Sequence, residues 1–332
     1  MKEELIKSEA IRHIVNKGYF GQKDYLSLLS ARVAINRSVA KYLKYENSEK
    51  LKSKVIERKI FVESYKGNNP AAIRIRNLLY GENLNVLVHG SIGTREENFY
   101  SDYDGLVIIK NELFNSKKKL SDACLKLHRC LKILYQFDPL QHHGWFILTE
   151  SDLKNYPQTY FPHELFEFSR SLLPDKGLEI EISLKDSYDY LEPFNNLSQA
   201  IMKKVDSKKL KNLYALKGLL SQFMLLPSLY CQARDKKGIF KKFSFDEARK
   251  DFAEDEWAVM DIVSEIRKNW HYDINALQKW MLTRTNKYFR RFIIPFAAPS
   301  IPADIKSKLT DDFYKQMYSL TYAMREKLNV SL

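Results

Sequence analysis

Two aspartates with one residue between them, Asp102-Tyr103-Asp104, open an apolar run, Gly105-Leu106-Val107-Ile108-Ile109. On an extended chain alternate side chains share a face, so Asp102 and Asp104 project together and Tyr103 points away. Two carboxylates side by side at the edge of a buried strand repel each other and lose hydration, and a cation between them offsets both costs. Mg²⁺ suits the place, because it takes oxygen ligands and is held by one or two carboxylates plus substrate phosphates. Upstream, Val86-Leu87-Val88 runs into His89-Gly90-Ser91 and Gly93, the pattern of a buried strand that delivers a glycine turn. Glycine lets backbone amides approach a phosphate, and the Ser91 hydroxyl adds a donor. Together the two halves predict a site where Asp102 and Asp104 hold metal while Gly90 and Ser91 bind a triphosphate. Taken alone, Asp-x-Asp after a turn reads more readily as a solvated strand start than as a metal site.

Gly90-Ser91, ten intervening residues, then Asp102-Tyr103-Asp104 and an apolar strand resembles the polymerase-beta-like nucleotidyltransferase superfamily. The run GSIGTREENFYSDYD is most similar to the small-molecule branch that includes kanamycin nucleotidyltransferase, with Tyr100-Ser101 before the acidic pair. The resemblance covers the middle of the chain. It implies an NTP as co-substrate, two Mg²⁺ ions, and a third carboxylate on the strand neighbouring the acidic one. Here that region reads Asp138-Pro139-Leu140-Gln141-His142-His143-Gly144, followed by the apolar Trp145-Phe146-Ile147-Leu148. Either Asp138 is the third acid, displaced toward the strand start, or an imidazole has taken over as general base, for which its ordinary pKa near ~6.5 is suited. Adjacent strand residues face opposite ways, so at most one of His142 and His143 reaches the metals.

The elements that must position these groups read as follows. Residues 1–80 are predicted to be helical, with Leu5, Ile11 to Ile14, Leu26, Leu29, Val33, Val39 and Leu43 at helical spacing, and a further helix after Pro70 through Leu78-Leu79. Residues 81–190 form the predicted core: the Asn85 strand, the Asp104 strand, a helix from Ser121 to Tyr135, and the Trp145 strand, which the strand-helix-strand order sets beside the Asp104 strand. Residues 149–175 are aromatic-rich and partly helical. Leu178 to Leu184 alternates as a strand with one wet face, on which Glu179 and Glu181 are solvated.

Residues 191–332 read as a helical domain. Its Leu210, Leu213, Tyr214 and Met224 form an apolar stripe that contains Lys217. Such a lysine either snorkels to solvent or, as the resemblance implies, reaches the triphosphate. Lys241 and Lys242, with Lys236 and Lys237 beside Gly238, could close over the nucleotide in the same way, against the default of exposed loop lysines. Arg267 and His271 resemble, at shorter spacing, the Arg-and-His pair of a helical ribonuclease family. Arg284, Lys287, Arg290 and Arg291 with Tyr288 and Phe289 make a basic aromatic face, read as solvated or as a nucleic-acid surface. The fold class is thus α+β: a small mixed-sheet nucleotidyltransferase core between an N-terminal helical segment and a C-terminal helical domain.

The chain has 332 residues and a formal net charge of +13, which divides into +9 for 1–80, −5 for 81–190 and +9 for 191–332. An acidic centre between basic flanks suits a metal site that receives an anionic substrate, or a nucleic acid; lysine-rich helices that are merely solvated have the same composition. The three cysteines, Cys124, Cys130 and Cys231, have neither disulfide-framework nor zinc-site spacing. With no apolar run near membrane-spanning length, the expectation is a cytoplasmic protein without membrane partners. The function expected is Mg²⁺-dependent transfer of an NMP from an NTP to a hydroxyl-type acceptor. By resemblance that acceptor is a small molecule. The basic flanks keep RNA, such as a tRNA end, or a protein open, and the altered third acid keeps open a catalytically inactive nucleotide-binding module.

Overall fold

The computed structural model describes residues 2–18, 33, 35–37, 39–40, 54–158, 160–185, 188–207 and 210–330; at Lys2, Leu5, Lys287 and Tyr288 only the backbone is described. The helical positions read at Leu26, Leu29 and Leu43, and the side chains of Leu5, Lys287 and Tyr288, lie outside the described residues. The fold is mixed α+β, in two compact units: residues 1–97, 101–188 and 279–293 form the first, and 98–100, 189–278 and 294–332 the second. The N-terminal segment is therefore not separate from the central one.

In chain order the first unit contains α1 (Lys2–Lys17), β1 (Val55–Val62), α2 (Pro70–Leu79), β2 (Leu84–Val88), α3 (Gly90–Thr94), β3 (Gly105–Ile109), α4 (Lys117–Phe137), β4 (Phe146–Thr149), α5 (Glu150–Lys154), β5 (Arg170–Leu173) and β6 (Leu178–Lys185). Four strands make one sheet in the order β4-β3-β2-β5, with β3 parallel to β4 and antiparallel to β2, and β2 antiparallel to β5. Strands β1 and β6 pair antiparallel as a second sheet. Helical periodicity alone misses β1, because its burial comes from pairing with a strand more than a hundred residues later, and β5, a short strand inside an aromatic loop.

Both faces of the four-stranded sheet are covered, which is why β2 and β3 are continuous apolar runs rather than alternating ones. Val86, Val88, Val107, Ile109 and Ile147 face a core shared with Ile75 and Leu79 of α2 and Leu127, Leu131 and Leu134 of α4. Leu87, Leu106, Ile108 and Leu148 pack on the other side against Ile180, Ile182, Phe161 and Phe166. Glu179 and Glu181 lie on the wet face of β6, where Lys59 of β1 pairs with them at 4.0 and 2.6 Å.

Helix α1 protects the exposed edge of β4, which would otherwise offer unpaired backbone groups to another chain. Its Asn16 side chain both donates to Trp145 O and accepts from Trp145 N at 2.9 Å, and Arg12 Nε donates to Ile147 O at 2.8 Å. Arg12 also pairs with the buried Asp152 at 3.2 Å.

The second unit is helical: α6 (Leu191–Ser207), α7 (Leu213–Phe223), α8 (Leu226–Asp235), α9 (Lys241–Arg249), α10 (Glu254–Lys268), α13 (Ala303–Lys308) and α14 (Asp311–Lys327), with α11 (Ala276–Leu282) and α12 (Lys287–Ala297) divided between the units. Helix α14 packs on α6 and α10, and α8 on α6 and α9. Among the described residues no helix is long and apolar enough to cross a membrane.

Helix α2 starts at Pro70 because Asn69 caps it: the buried side-chain oxygen of Asn69 accepts from the amides of Ala71 and Ala72 at 3.0 and 3.3 Å, and its amide donates to Glu97 at 3.1 Å. Asn69→Ala is expected to destabilise the protein by ~1–2 kcal/mol, read as a lower urea midpoint with unchanged slope. An unchanged midpoint means the cap carries no stability.

Candidate functional site

The site is built at one end of the four-stranded sheet, where β2 finishes and β3 begins. Val88 is opposite Gly105 in the antiparallel register, and His89 N donates to Asp104 O at 2.9 Å, one step beyond the strands. That pairing sets the turn after β2 directly against Asp104. Gly90 adopts φ +64, and a Cβ at this position would come within 2.3 Å of Asp104 Oδ2. The positive φ favours glycine, and any larger residue would have to displace the Asp104 carboxylate. Ser91, half-buried, follows in the first turn of the short helix α3.

Asp102 and Asp104 lie on the extended segment before β3, on the side away from Tyr103, whose fully buried ring packs edge-on against Phe137 and Trp145. Tyr103 is the anchor that turns both acids outward. Their carboxylates remain 20% and 26% exposed and converge on one imidazole: His143 Nε2 is 3.1 Å from Asp104 Oδ1 and 3.8 Å from Asp102 Oδ2. Burial opposes charge on His143, but the hydrogen bond to Asp104 and the charges of Asp104 and Asp102 outweigh it and push its pKa up to about 9. At neutral pH His143 is therefore an imidazolium, the counter-ion of the acid pair.

A second imidazole borders the site in the opposite state. His89 is buried against Phe146 and Phe161, and its Nε2 finds no hydrogen-bond partner among the described residues. Burial pushes its pKa down to about 4 in spite of the nearby Asp104 charge.

Gln141 and Arg290 hold this arrangement together. The parallel ladder between β3 and β4 begins at Leu106 and Phe146. Beyond it, the buried Gln141 side chain substitutes for a strand: Oε1 accepts from Tyr103 N at 2.9 Å and Nε2 donates to Tyr103 O at 3.1 Å and His143 O at 2.9 Å. Arg290 of α12 is buried, stacks 3.8 Å from the Tyr135 ring centroid, and donates to the carbonyls of Gln141 at 3.1 Å, Pro139 at 3.5 Å and Leu282. The sequence placed Arg290 on a basic surface face. It is instead a buried clamp, and no sequence signal separates it from Arg291.

Of the sequence-derived candidates, Gly90, Ser91, Asp102, Asp104 and His143 come together. Asp138 belongs to the turn instead: it is buried at the C-terminal cap of α4, and its Oδ1 accepts from Leu140 N at 3.0 Å. His142 is exposed. Lys217, Lys241 and Lys242 belong to the helical unit. Lys217 does not snorkel: it is fully buried, with its ammonium 5.1 Å from the Tyr100 ring centroid and Arg267 at 5.7 Å from the same ring. Tyr100 OH donates to Lys217 O at 3.1 Å. Lys241 and Lys242 start α9 rather than lying in a loop, and His271 is exposed, near Asp304 at 3.5 Å.

Two convergent, partly hydrated carboxylates are the donor set that Mg²⁺ takes when phosphates complete its shell, so Asp102 and Asp104 fit the ion. Among the described residues no group of three or more His, Cys, Asp or Glu side chains is arranged to hold a metal; the fit rests on the acid pair.

The signs of the histidine shifts give a pH dependence. For His143 the folded pKa exceeds the unfolded value, so its contribution is complete below pH ~6.5 and is lost as pH rises through about 9. With chelator present, wild type should lose ~1–3 kcal/mol relative to His143→Gln between pH 6 and 9.5, allowing for solvent screening. Parallel pH profiles of urea unfolding for the two proteins would contradict the ion pair. Arg290→Met leaves buried carbonyls without their donor and should cost ~2–4 kcal/mol in the same assay; a loss below ~0.5 kcal/mol, the range of surface substitutions, would remove Arg290 from the support of the site.

Compared with protein-family models, curated proteins and solved structures, the chain has no match, so what is said of its function rests on its own residues and the motif resemblance.

Proposed function

We propose that the chain is a Mg²⁺-dependent nucleotidyltransferase that moves an NMP from an NTP to a hydroxyl-type acceptor, on a nucleotidyltransferase core formed by β2, β3 and β4. The observation that carries this reading is the close approach of Gly90 to Asp104, with Asp102 alongside. A turn that excludes even a Cβ, set against an acid pair, is what joint recognition of phosphate and metal demands.

Asp102 and Asp104 would hold the ions, two by the motif resemblance. When bound, Mg²⁺ supplies neutralisation of the charge on the transferring phosphoryl group and its leaving oxygens. Gly90 leaves the turn open for backbone amides to approach the phosphates, and Ser91 adds its hydroxyl. On the motif resemblance, His143 would take the place of the third acid. Its Nε2 proton is held by the two carboxylates, so it can accept the acceptor's proton there only after releasing its own to solvent. Asp138 and His142 are not given this role, since one is engaged in a turn and the other is exposed.

A second reading is favoured by His143 itself: an imidazolium already paired with Asp104 competes with a divalent ion, as in a module that binds nucleotide without transferring it. Both readings are separated by incubating the protein with each labelled NTP, Mg²⁺ and cell extract, and following label into small metabolites, RNA and protein. Asp104→Asn should lower transfer by ~10³-fold or more. It should also lower metal-free stability by ~1–3 kcal/mol, because His143 loses its charged partner. Wild-type transfer in Asp104→Asn rejects the assignment, and Mg²⁺-dependent NTP binding without transfer to any fraction selects the second reading.

A further inference from the structure

Between Ile274 and Ala303 the chain carries five basic side chains, Lys279, Arg284, Lys287, Arg290 and Arg291, and no acidic one. Arg290 is consumed inside the protein as the clamp described above. The part of this stretch that belongs to the first unit, 279–293, displays aromatic rings at its surface: Trp280 is 52% exposed, Phe289 37% and Phe292 73%. Single exposed aromatics are ordinary, but these are organised. The Arg284 guanidinium lies 3.8 Å from the Trp280 ring centroid, and Phe289 meets the same indole edge-on at 6.4 Å. Phe292 is three residues after Phe289 on α12 and so falls on the same helical face. Lys279, Arg284 and Arg291 are exposed around these rings.

We infer that this surface binds single-stranded RNA, the bases stacking on Trp280 and Phe292 and the phosphates pairing with Lys279, Arg284 and Arg291. Charge complementarity and ring geometry argue for that occupant. Aromatic platforms interleaved with cations serve single strands because every base has a face to stack and every nucleotide a phosphate to neutralise, whereas a duplex hides its base faces. A second copy of the chain fits poorly, since a self-complementary contact would set these cations against one another. A lipid surface would favour outward aliphatic side chains, but within 279–293 Leu282 is buried and Met281 and Ile293 are half-buried, while the exposed aliphatic Leu277 lies outside this part. The inference stands apart from the transfer chemistry: it requires no metal and no acid pair.

Fluorescence anisotropy of the full-length protein with a 5′-fluorescein 15-nucleotide oligouridylate tests it, alongside a 15-base-pair RNA duplex and vesicles of phosphatidylcholine with phosphatidylserine. The oligonucleotide should bind more tightly than the duplex and quench tryptophan fluorescence. Its log affinity should fall with log salt with a slope of about −2, for three phosphates neutralised at ~0.7 each. Trp280→Ala and Phe292→Ala, both at exposed positions, should each weaken binding about 10-fold, and Arg284→Glu should weaken it and flatten the salt slope. Asp104→Asn should bind like wild type, which separates this result from the fate of the acid pair. Equal affinity for duplex, or full affinity in the Trp280→Ala/Phe292→Ala double variant, overturns the inference. So does association with vesicles, or dimerisation dependent on Phe292, in the absence of oligonucleotide binding.

Discussion

The first unit depends on a local electrostatic problem: two carboxylates are held on the same side of an extended segment at the end of a sheet buried on both faces. The geometry cannot be relaxed by rotating one of them away, because Tyr103 between them is locked into the core. The cation that offsets their repulsion comes from the chain itself, as His143. Its raised pKa and the acid pair's convergence are two views of the same free energy, since a charge that holds a proton on the imidazole is equally held in place by it. A divalent ion would face the same pair and the same convergence, so His143 sets the threshold that such an ion must exceed.

Around that pair, side chains take over the backbone hydrogen bonding where the strands end. Beyond the last backbone rungs between β3 and β4, Gln141 continues the ladder with its side-chain amide, satisfying both backbone groups of Tyr103 and the carbonyl of His143. Arg290 then satisfies the carbonyls behind Gln141. This buried guanidinium of α12 thereby braces the loop that delivers His143. On the outer edge, Asn16 performs the equivalent service for Trp145, so an N-terminal helix and a segment near residue 290 both brace one short loop.

The helical unit has a buried cation in Lys217 and a half-buried one in Arg267. Lys217 and Arg267 both approach the ring of Tyr100, itself buried and bonded to the carbonyl of Lys217 and to Ser221 at 2.7 Å. An aromatic face offsets part of the hydration that a cation loses on burial. Basic charge in this chain is thus partly internal, and the net +13 overstates what the surface presents.

The sequence alone determined the strands at Val86 and Leu106, the long helix before Phe137, the strand at Phe146 and the helix after Pro70, because each is a local pattern of apolar spacing and punctuation. It also determined that Asp102 and Asp104 share a side and that a glycine turn ends the Val86 strand, since alternation and glycine chemistry are properties of a few consecutive residues; the antiparallel pairing of β2 with β3 then set that turn beside the acids. Tertiary structure decided what depends on distant partners. Strand β1 exists through pairing with β6, which helical periodicity in 1–80 could not reveal. His143 rather than His142 or Asp138 meets the acids because parallel pairing of β3 with β4 and the Gln141 bridge fix which side chain turns inward. Arg290 and Lys217 became buried cations rather than solvated ones for the same reason: a side chain's ionic partner is chosen by packing across the fold, and spacing along the chain carries no record of it.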